Sequence, residues 1–296
     1  MKFYKLKQIL TPYLLLLPAV VIMLIFIYIP VVNNIYYSLF RWSSIDPRMS
    51  FIGIQNYVRI FSDKIVSISL RNNVLYAVIS VVFQVFFALI LAALLEAKIL
   101  RRVEAPIRTS LFLPSVLAVT VVGITWQLIY SPNTGLINQV LRAVGLDSLA
   151  HAWLGEESTA IFAIIGVSQW QWVGYCMILF VVAIQAIPHE MYEAAKVDGA
   201  SGIQQFFNIT IPMVRETILV LTTITVIGGF KVFDIVWVMT AGGPNNASNT
   251  LGGYLYRVGF RNDEMGYASA LATLLFVITF ILTVVQLRIG RSGEES

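Results

Sequence analysis

The chain alternates between long apolar runs and shorter polar connections, and the runs are too long for the buried elements of a soluble domain. A helix that crosses about 30 Å of hydrocarbon at about 1.5 Å per residue needs about 20 mainly apolar residues. Six stretches reach that length: Leu10–Val32, Val74–Leu95, Leu111–Tyr130, Ala160–Ile184, Ile218–Met239 and Ala268–Leu287. Five of them carry no charged residue, and the fifth carries Lys231 and Asp234. Strands of about ten residues with alternating polarity, the mark of an outer-membrane barrel, are absent. The pattern predicts an all-α, polytopic membrane protein with six transmembrane helices in a single domain over residues 1–296.

Composition agrees. Only 12% of residues are charged and 58% are hydrophobic, against about 25% charged in a soluble domain. Lys2, Lys5 and Lys7 ahead of an apolar stretch are also how a signal peptide begins. However, the uncharged run from Leu10 to Val32 is longer than a signal peptide's apolar region of about 7–15 residues, and no Ala-x-Ala-like site follows. It reads as an uncleaved first span.

Orientation follows from lysine and arginine in the loops. With the N-terminus inside, Lys2, Lys5, Lys7, Lys98, Arg101, Arg102, Arg108, Lys196, Arg215, Arg288 and Arg291 lie in the cytoplasm. Arg41, Arg48, Arg59, Lys64, Arg71, Arg142, Arg257 and Arg261 lie outside. The short loop around Arg101 and Arg102 weighs most, and both termini are then cytoplasmic. The formal net charge of +4 belongs to those loops; no basic stripe with interleaved aromatics suggests nucleic acid.

Catalytic motifs fail one by one. No G-x-x-x-x-G-K-[ST] run is present, so the chain has no phosphate-binding P-loop for ATP. His189-Glu190-Met191-Tyr192-Glu193 puts a glutamate where a zinc helix needs its second histidine. Gly166-Val167-Ser168-Gln169-Trp170 lacks the second glycine of a nucleophile elbow. His151 and His189 are too few for a zinc site without carboxylates, and the lone Cys176 reads as a small buried hydrophobe. No catalytic residue, metal site or bound cofactor is expected.

Of the inner connections only 185–217 is long. Tyr192–Val197 holds good helix formers and Gly199 is a natural stop. Gln204–Ile209 supports a second short helix, which Pro212 separates from the fifth span. Two readings fit: a compact knob whose shallow face at Ala194 and Ala195 fits a partner's groove, or an interfacial helix on the membrane.

Here the sequence resembles a known family. Glu193-Ala194-Ala195, three residues, Gly199, nine residues and then Ile209-x-Ile211-Pro212 is similar to the E-A-A loop of ABC-importer permeases, with Ile211 where the family pattern has leucine. The resemblance implies that Glu193, Ala194, Ala195, Asp198, Gly199, Ile209 and Pro212 belong to cytoplasmic coupling helices that dock on an ATPase. A second stretch, Val238-Met-Thr-Ala-Gly-Gly-Pro-Asn-Asn-Ala-Ser-Asn-Thr-Leu with Tyr256-Arg257-Val258-Gly259-Phe260, resembles carbohydrate-uptake permeases of the maltose, lactose and glycerol-phosphate type. Leu17-Pro18 and Asn56-Tyr57 extend that likeness towards the N-terminus.

The resemblance implies a bacterial inner-membrane subunit paired with a second permease, two ATPase subunits that use ATP and magnesium, and an extracytoplasmic solute-binding protein. The implied function is translocation of a sugar or oligosaccharide. Glycerol phosphate or another small polar solute is the alternative, and an intramembrane enzyme a more distant one. No span contains arginine away from its ends, which favours a neutral solute over a phosphate.

Polar residues inside spans are the candidates for the solute path, because they are costly in lipid. Gln169, Trp170, Gln171 and Trp172 supply amides and indoles, the groups that hold sugars. Trp170 stands about ten residues inside its span, about 15 Å deep, so pore or helix contact is favoured over an interfacial belt. Lys231 and Asp234, three residues apart, share a helix face and could pair; they either serve the path or merely neutralise each other near the outer end of the span. Gln84 and Asn73 join the list, with Asn72 and Gln127 as lesser candidates. Gly228-Gly229 reads as a hinge or a close-packing site. Neither inverted repeats nor broken helices, expected of a secondary transporter, are evident.

Overall fold

The computed structural model describes residues 2–46, 48–96 and 104–291, with side chains from 11 to 288. Lys98, Arg101 and Arg102, which dominate the orientation argument, lie outside the described residues, as do the side chains of Lys2, Lys5, Lys7 and Arg291.

The fold is all-α, as the periodicity predicts. The apolar part of α1 is Thr11–Tyr37, and a two-residue ribbon follows, β1 (Phe40–Arg41) against β2 (Ser50–Phe51), antiparallel with Phe40 opposite Phe51. A short α2 (Gln55–Ser62) precedes the long α3 (Lys64–Glu96). Next come α4 (Glu104–Val116), α5 (Val119–Ile129), α6 (Leu136–Ala143) and α7 (Ala160–Gln185). Then follow α8 (His189–Val197), α9 (Gly202–Met213), α10 (Arg215–Lys231) and α11 (Asp234–Thr240). The chain ends with α12 (Leu251–Tyr256) and α13 (Met265–Arg291). Among the described residues, four helices (α1, α3, α7 and α13) are long and apolar enough to cross a membrane, and up to six crossings result if the bent pairs α4–α5 and α9–α10 each make one.

Two expectations need correction. The segment 111–130 is not one helix: α4 and α5 meet at 102°. Pro114 lies within α4, and Ala118 is extended at φ −60°, ψ 133°, so the helical hydrogen-bond ladder stops there. The segment 218–239 is likewise interrupted, because Val232 is extended at φ −57°, ψ 126° between α10 and α11. Broken helices are therefore present after all. Apolar residues continue through the first break, whereas Lys231 and Asp234 stand on either side of the second. Prolines mark subtler irregularities. The wide π-helical turns Leu24–Tyr28 and Phe206–Thr210 each stand just before a proline, Pro30 and Pro212, which cannot donate to the ladder.

The chain, read from sequence as one domain, forms two compact units. In the unit of residues 1–62 and 255–274, Asn34 Nδ2 donates to Ser269 O and Thr273 Oγ1, both at 3.1 Å. Asn56 Nδ2 donates to Ser38 O at 2.7 Å and Phe40 O at 3.0 Å. Asp263, in left-handed backbone at φ +58°, accepts from the hydroxyls of Ser43 and Ser44. Arg59 pairs with Glu264 and lies over the Tyr267 ring, 3.9 Å from its centroid.

The other unit, residues 63–254 and 275–296, is built around α7. Its buried Met177, Phe180, Val181 and Ile184 pack with Val85, Ala88, Leu89 and Ala92 of α3. Further along, Ile161, Ile164 and Val167 pack with Tyr76, Val122, Ile235 and Met239. Small residues let the backbones approach, as is usual in lipid. A methyl group on Gly174 would stand 1.9 Å from Leu111 O, and one on Gly229 would stand 2.7 Å from Ala77 Cα.

Candidate functional site

Residues from three helices face one cavity of about 460 Å³ in the α7-centred unit, and on two of them they form polar stripes at helical spacing. On α3 they are Tyr76, Ser80 and Gln84, and on α7 Ser168, Gln171, Trp172 and Tyr175. On α10 they are Thr225 and Gly228, and the wall continues through the break with Lys231, Val232, Phe233 and Asp234. Tyr76, Ser80, Ser168, Tyr175 and Thr225 did not emerge from the sequence as path residues. Their signal was present: Tyr76, Ser80 and Gln84 are four residues apart, a polar line on an apolar helix.

The predicted path residues separate into three groups. Gln84, Gln171, Trp172, Lys231 and Asp234 line the cavity. Gln169 stands behind its wall, where it is buried; its Nε2 donates to Ser80 Oγ at 3.1 Å and Ile165 O at 2.9 Å, and its Oε1 accepts from Gln84 Nε2 at 2.9 Å. It ties α7 to α3, as an amide in a span must find a partner. Trp170 and Asn73 are not among the lining residues. Trp170 is 43% exposed and sets its ring edge-on to Trp126 at 5.4 Å, and Asn73 is fully buried. Asn72 donates to Ala247 O and Asn249 O, and Gln127 to Val238 O and Met239 O.

Lys231 and Asp234 do not share a helix face. Lys231 ends α10 and Asp234 begins α11, with Val232 extended between them. Both are exposed, and they form no ion pair with each other. The three-residue spacing suggested pairing only because the break was not visible. At the break between α4 and α5, Gln171 donates from Nε2 to Leu117 O at 3.1 Å. Gly229 is a close-packing site against Ala77, while a methyl group on Gly228 would meet no atom within 4 Å.

The connection 185–217 forms a knob of two helices, α8 and α9. The end of α8 is a Schellman turn: Gly199 at φ +79°, Gly199 N donating to Lys196 O at 3.0 Å and Ala200 N to Ala195 O at 2.8 Å. Ser201 and Gln204 then form a reciprocal capping box that starts α9. Tyr192 and Thr210 join their hydroxyls at 2.9 Å across the two helices, and Gln205 Nε2 donates to Ala200 O at 3.0 Å. Ile209 packs on the α7 core, whereas Glu193, Ala194, Asp198, Gly199 and Pro212 are exposed. Glu193 stands 3.6 Å from His189, one turn earlier on α8. Pro212 lies in the last turn of α9, and the bend of 70° into α10 falls two residues later at Val214.

Beside the knob is a second cavity of about 580 Å³, lined by Glu96, Gln185, His189, Tyr192 and Lys196 among others. At its edge Arg108 of α4 pairs with both Glu96 and Glu104, and Gln185 Nε2 donates to Glu96 Oε1 at 3.0 Å. The ends of α3, α4 and α7 are thus clasped next to the knob. Among the described residues no group of three or more His, Cys, Asp or Glu side chains could hold a metal ion. The cavity between α3, α7 and α10 offers amides, hydroxyls and aromatic faces, with one lysine and one aspartate of opposite charge, a lining that suits a neutral polar solute.

Residues 69–292 match the family model of the binding-protein-dependent transport system inner membrane component. The chain is 50% identical over 284 residues to the probable ABC transporter permease protein YurN of Bacillus subtilis, covering 96% of this chain and 97% of that one. It is 34% identical to the arabinooligosaccharides transport system permease protein AraP of Halalkalibacterium halodurans, covering 95% and 88%. In fold it is similar to a chain of a bacterial ABC transporter involved in the import of the acidic polysaccharide alginate, with a TM-score of 0.85, 23% identity and 99% coverage of each.

Proposed function

We propose, from the premise that the chain belongs to the family of binding-protein-dependent transport system inner membrane components, that it is the permease subunit through which an ATP-driven importer passes a sugar or oligosaccharide. The observation that carries the reading is a cavity of about 460 Å³ with polar side chains set in a largely apolar wall, formed by α3, α7 and the broken α10–α11 segment, in the same unit as an exposed, doubly capped knob. The sugar assignment draws on AraP, named for arabinooligosaccharides, and on the lining itself. That lining has no arginine, and its one lysine, Lys231, is offset by Asp234. A phosphate would call for guanidinium groups there.

In this reading both termini and the knob are cytoplasmic. Exposed Glu193, Ala194, Asp198 and Gly199 meet an ATPase subunit, and the Schellman turn and capping box make α8 and α9 move as one body. ATP and magnesium are bound by two such ATPase subunits. A second permease completes the pathway, and an extracytoplasmic binding protein delivers the solute. Bent spans whose free carbonyls are capped by side chains fit a membrane interior, where unsatisfied backbone groups are tolerated only against protein or a water-filled cavity. The solute is held by hydrogen bonds and aromatic faces, and the chain performs no chemistry on it.

The test is gentle extraction from the native membrane followed by identification of what co-purifies, then uptake by the reconstituted assembly. An ATPase, a second permease and a sugar-binding protein are expected, with uptake that requires all of them. A stable chain recovered without an ATPase under several mild detergents would overturn the proposal.

A further inference from the structure

The break between α10 and α11 is held open by side chains distant in sequence. In a continuous helix the carbonyls of Gly229 and Phe230 would accept from the N–H groups of Phe233 and Asp234, four residues on. Instead Asn73 Nδ2, from α3, donates to Gly229 O at 2.8 Å and Phe230 O at 3.1 Å. Asn73 Oδ1 accepts from Leu251 N at 2.9 Å, at the start of α12. Thr250 Oγ1 donates to the next free carbonyl, Val232 O, at 3.0 Å. Asn73 and Thr250 are both fully buried. The fit is close on every side, since a methyl on Gly229 would meet Ala77 Cα at 2.7 Å and one on Gly252 would meet Val232 O at 3.2 Å.

The segment so held is a cavity wall, carrying Gly228, Lys231, Val232, Phe233 and Asp234. Asn73 itself is not on the cavity surface. We propose that Asn73 is a positioning residue for solute passage: its amide takes the place of two helical N–H donors and keeps this span broken, so that the wall retains its shape as the pathway opens and closes. Thr250 assists from the opposite side. The inference rests on the transport reading given above. It concerns the conformational step, so substitution lowers the maximum rate of uptake and leaves the half-saturating solute concentration unchanged.

The experiment uses the assembled complex in vesicles with its binding protein, comparing wild type with Asn73→Leu, Asn73→Asp, Asn73→Ser and Thr250→Val. Asn73→Leu and Asn73→Asp remove the donor while keeping the branched shape, the aspartate at nearly unchanged volume, and each is expected to lower the maximum uptake rate at least about tenfold while half-saturation and ATP hydrolysis stay within about twofold. Asn73→Ser, which still donates to one carbonyl, should recover part of the rate, and Thr250→Val should show the same split more weakly. Absence of uptake by wild type would remove the transport reading and this inference with it. Uptake by wild type together with normal rates in Asn73→Leu and Asn73→Asp would overturn the inference alone. Failure of both variants to assemble, with Thr250→Val fully active, would assign the amide to folding and equally overturn it.

Discussion

Gly174 offers a direct test of how closely α4 and α7 are packed. A methyl group there would stand 1.9 Å from Leu111 O, 2.3 Å from Leu111 C and 2.8 Å from Phe112 N. Real contacts of this kind are essentially never under 3.0 Å, so the α4 backbone must retreat by about 1.1 Å, the difference between 3.0 and 1.9 Å. Backbone in a helix cannot rotate away as a side chain can. Overpacking costs about 1–3 kcal/mol, and a rigid neighbour argues for the upper end. Alanine returns about 1 kcal/mol of helix propensity, leaving Gly174→Ala destabilised by about 2 kcal/mol. The control is Gly228→Ala, where nothing lies within 4 Å and only the gain of about 1 kcal/mol applies. The two variants then differ by about 3 kcal/mol. With an unfolding entropy of about 2.1 cal/mol/K per residue, that is about 5 °C for a chain of this size. Midpoints of heat-induced loss of the monodisperse peak in detergent measure it. Equal midpoints within about 1 °C would refute the packing argument.

Two further outcomes are expected. Gly199→Val should uncouple ATP hydrolysis from uptake, because Gly199 sits at φ +79° with open space around it, so the penalty is purely the about 1–2 kcal/mol of left-handed backbone. Gly199→Asn, which tolerates that conformation, should stay close to wild type, and normal coupling in the valine variant would count against the rigid-knob argument. At Asp263, hydrogen bonds from the Ser43 hydroxyl, the Ser44 hydroxyl and the Ser44 amide hold the carboxyl down at about 2, below its ordinary 3.8. Because the folded value is the lower one, this stabilisation is complete above pH about 4 and is lost as pH falls through about 2. Hydrogen exchange at Ser44 and Ile45, corrected for the intrinsic rate, should show protection that fades over that window, and Asp263→Asn should abolish the dependence.

The amino-acid sequence determined which residues leave water, because lipid demands apolar runs of a length set by the bilayer. That made the all-α class and the long apolar segments legible. The stop of α8 was legible too, since Gly199 is a local left-handed signal, but the sequence left a compact knob and an interfacial helix as alternatives, and the capping box of Ser201 with Gln204 emerged from the structure. The tertiary structure decided what local pattern does not record. Leucine and valine run on through Leu117-Ala118, so hydropathy shows no gap where α5 begins; at the second break Lys231 and Asp234 flank Val232-Phe233, and their spacing suggested a pair on one helix rather than an interruption. The breaks exist because partners cap the freed carbonyls, Gln171 at Leu117 and Asn73 at Gly229 and Phe230; Asn73 and Gly229 are 156 residues apart. The same distance effect sorted the polar candidates. Gln84 and Gln171 face the cavity, Trp170 turns to Trp126, and Lys231 and Asp234 separate across a break. Periodicity fixes the face of a helix, but which neighbour covers that face depends on packing between segments far apart in the chain.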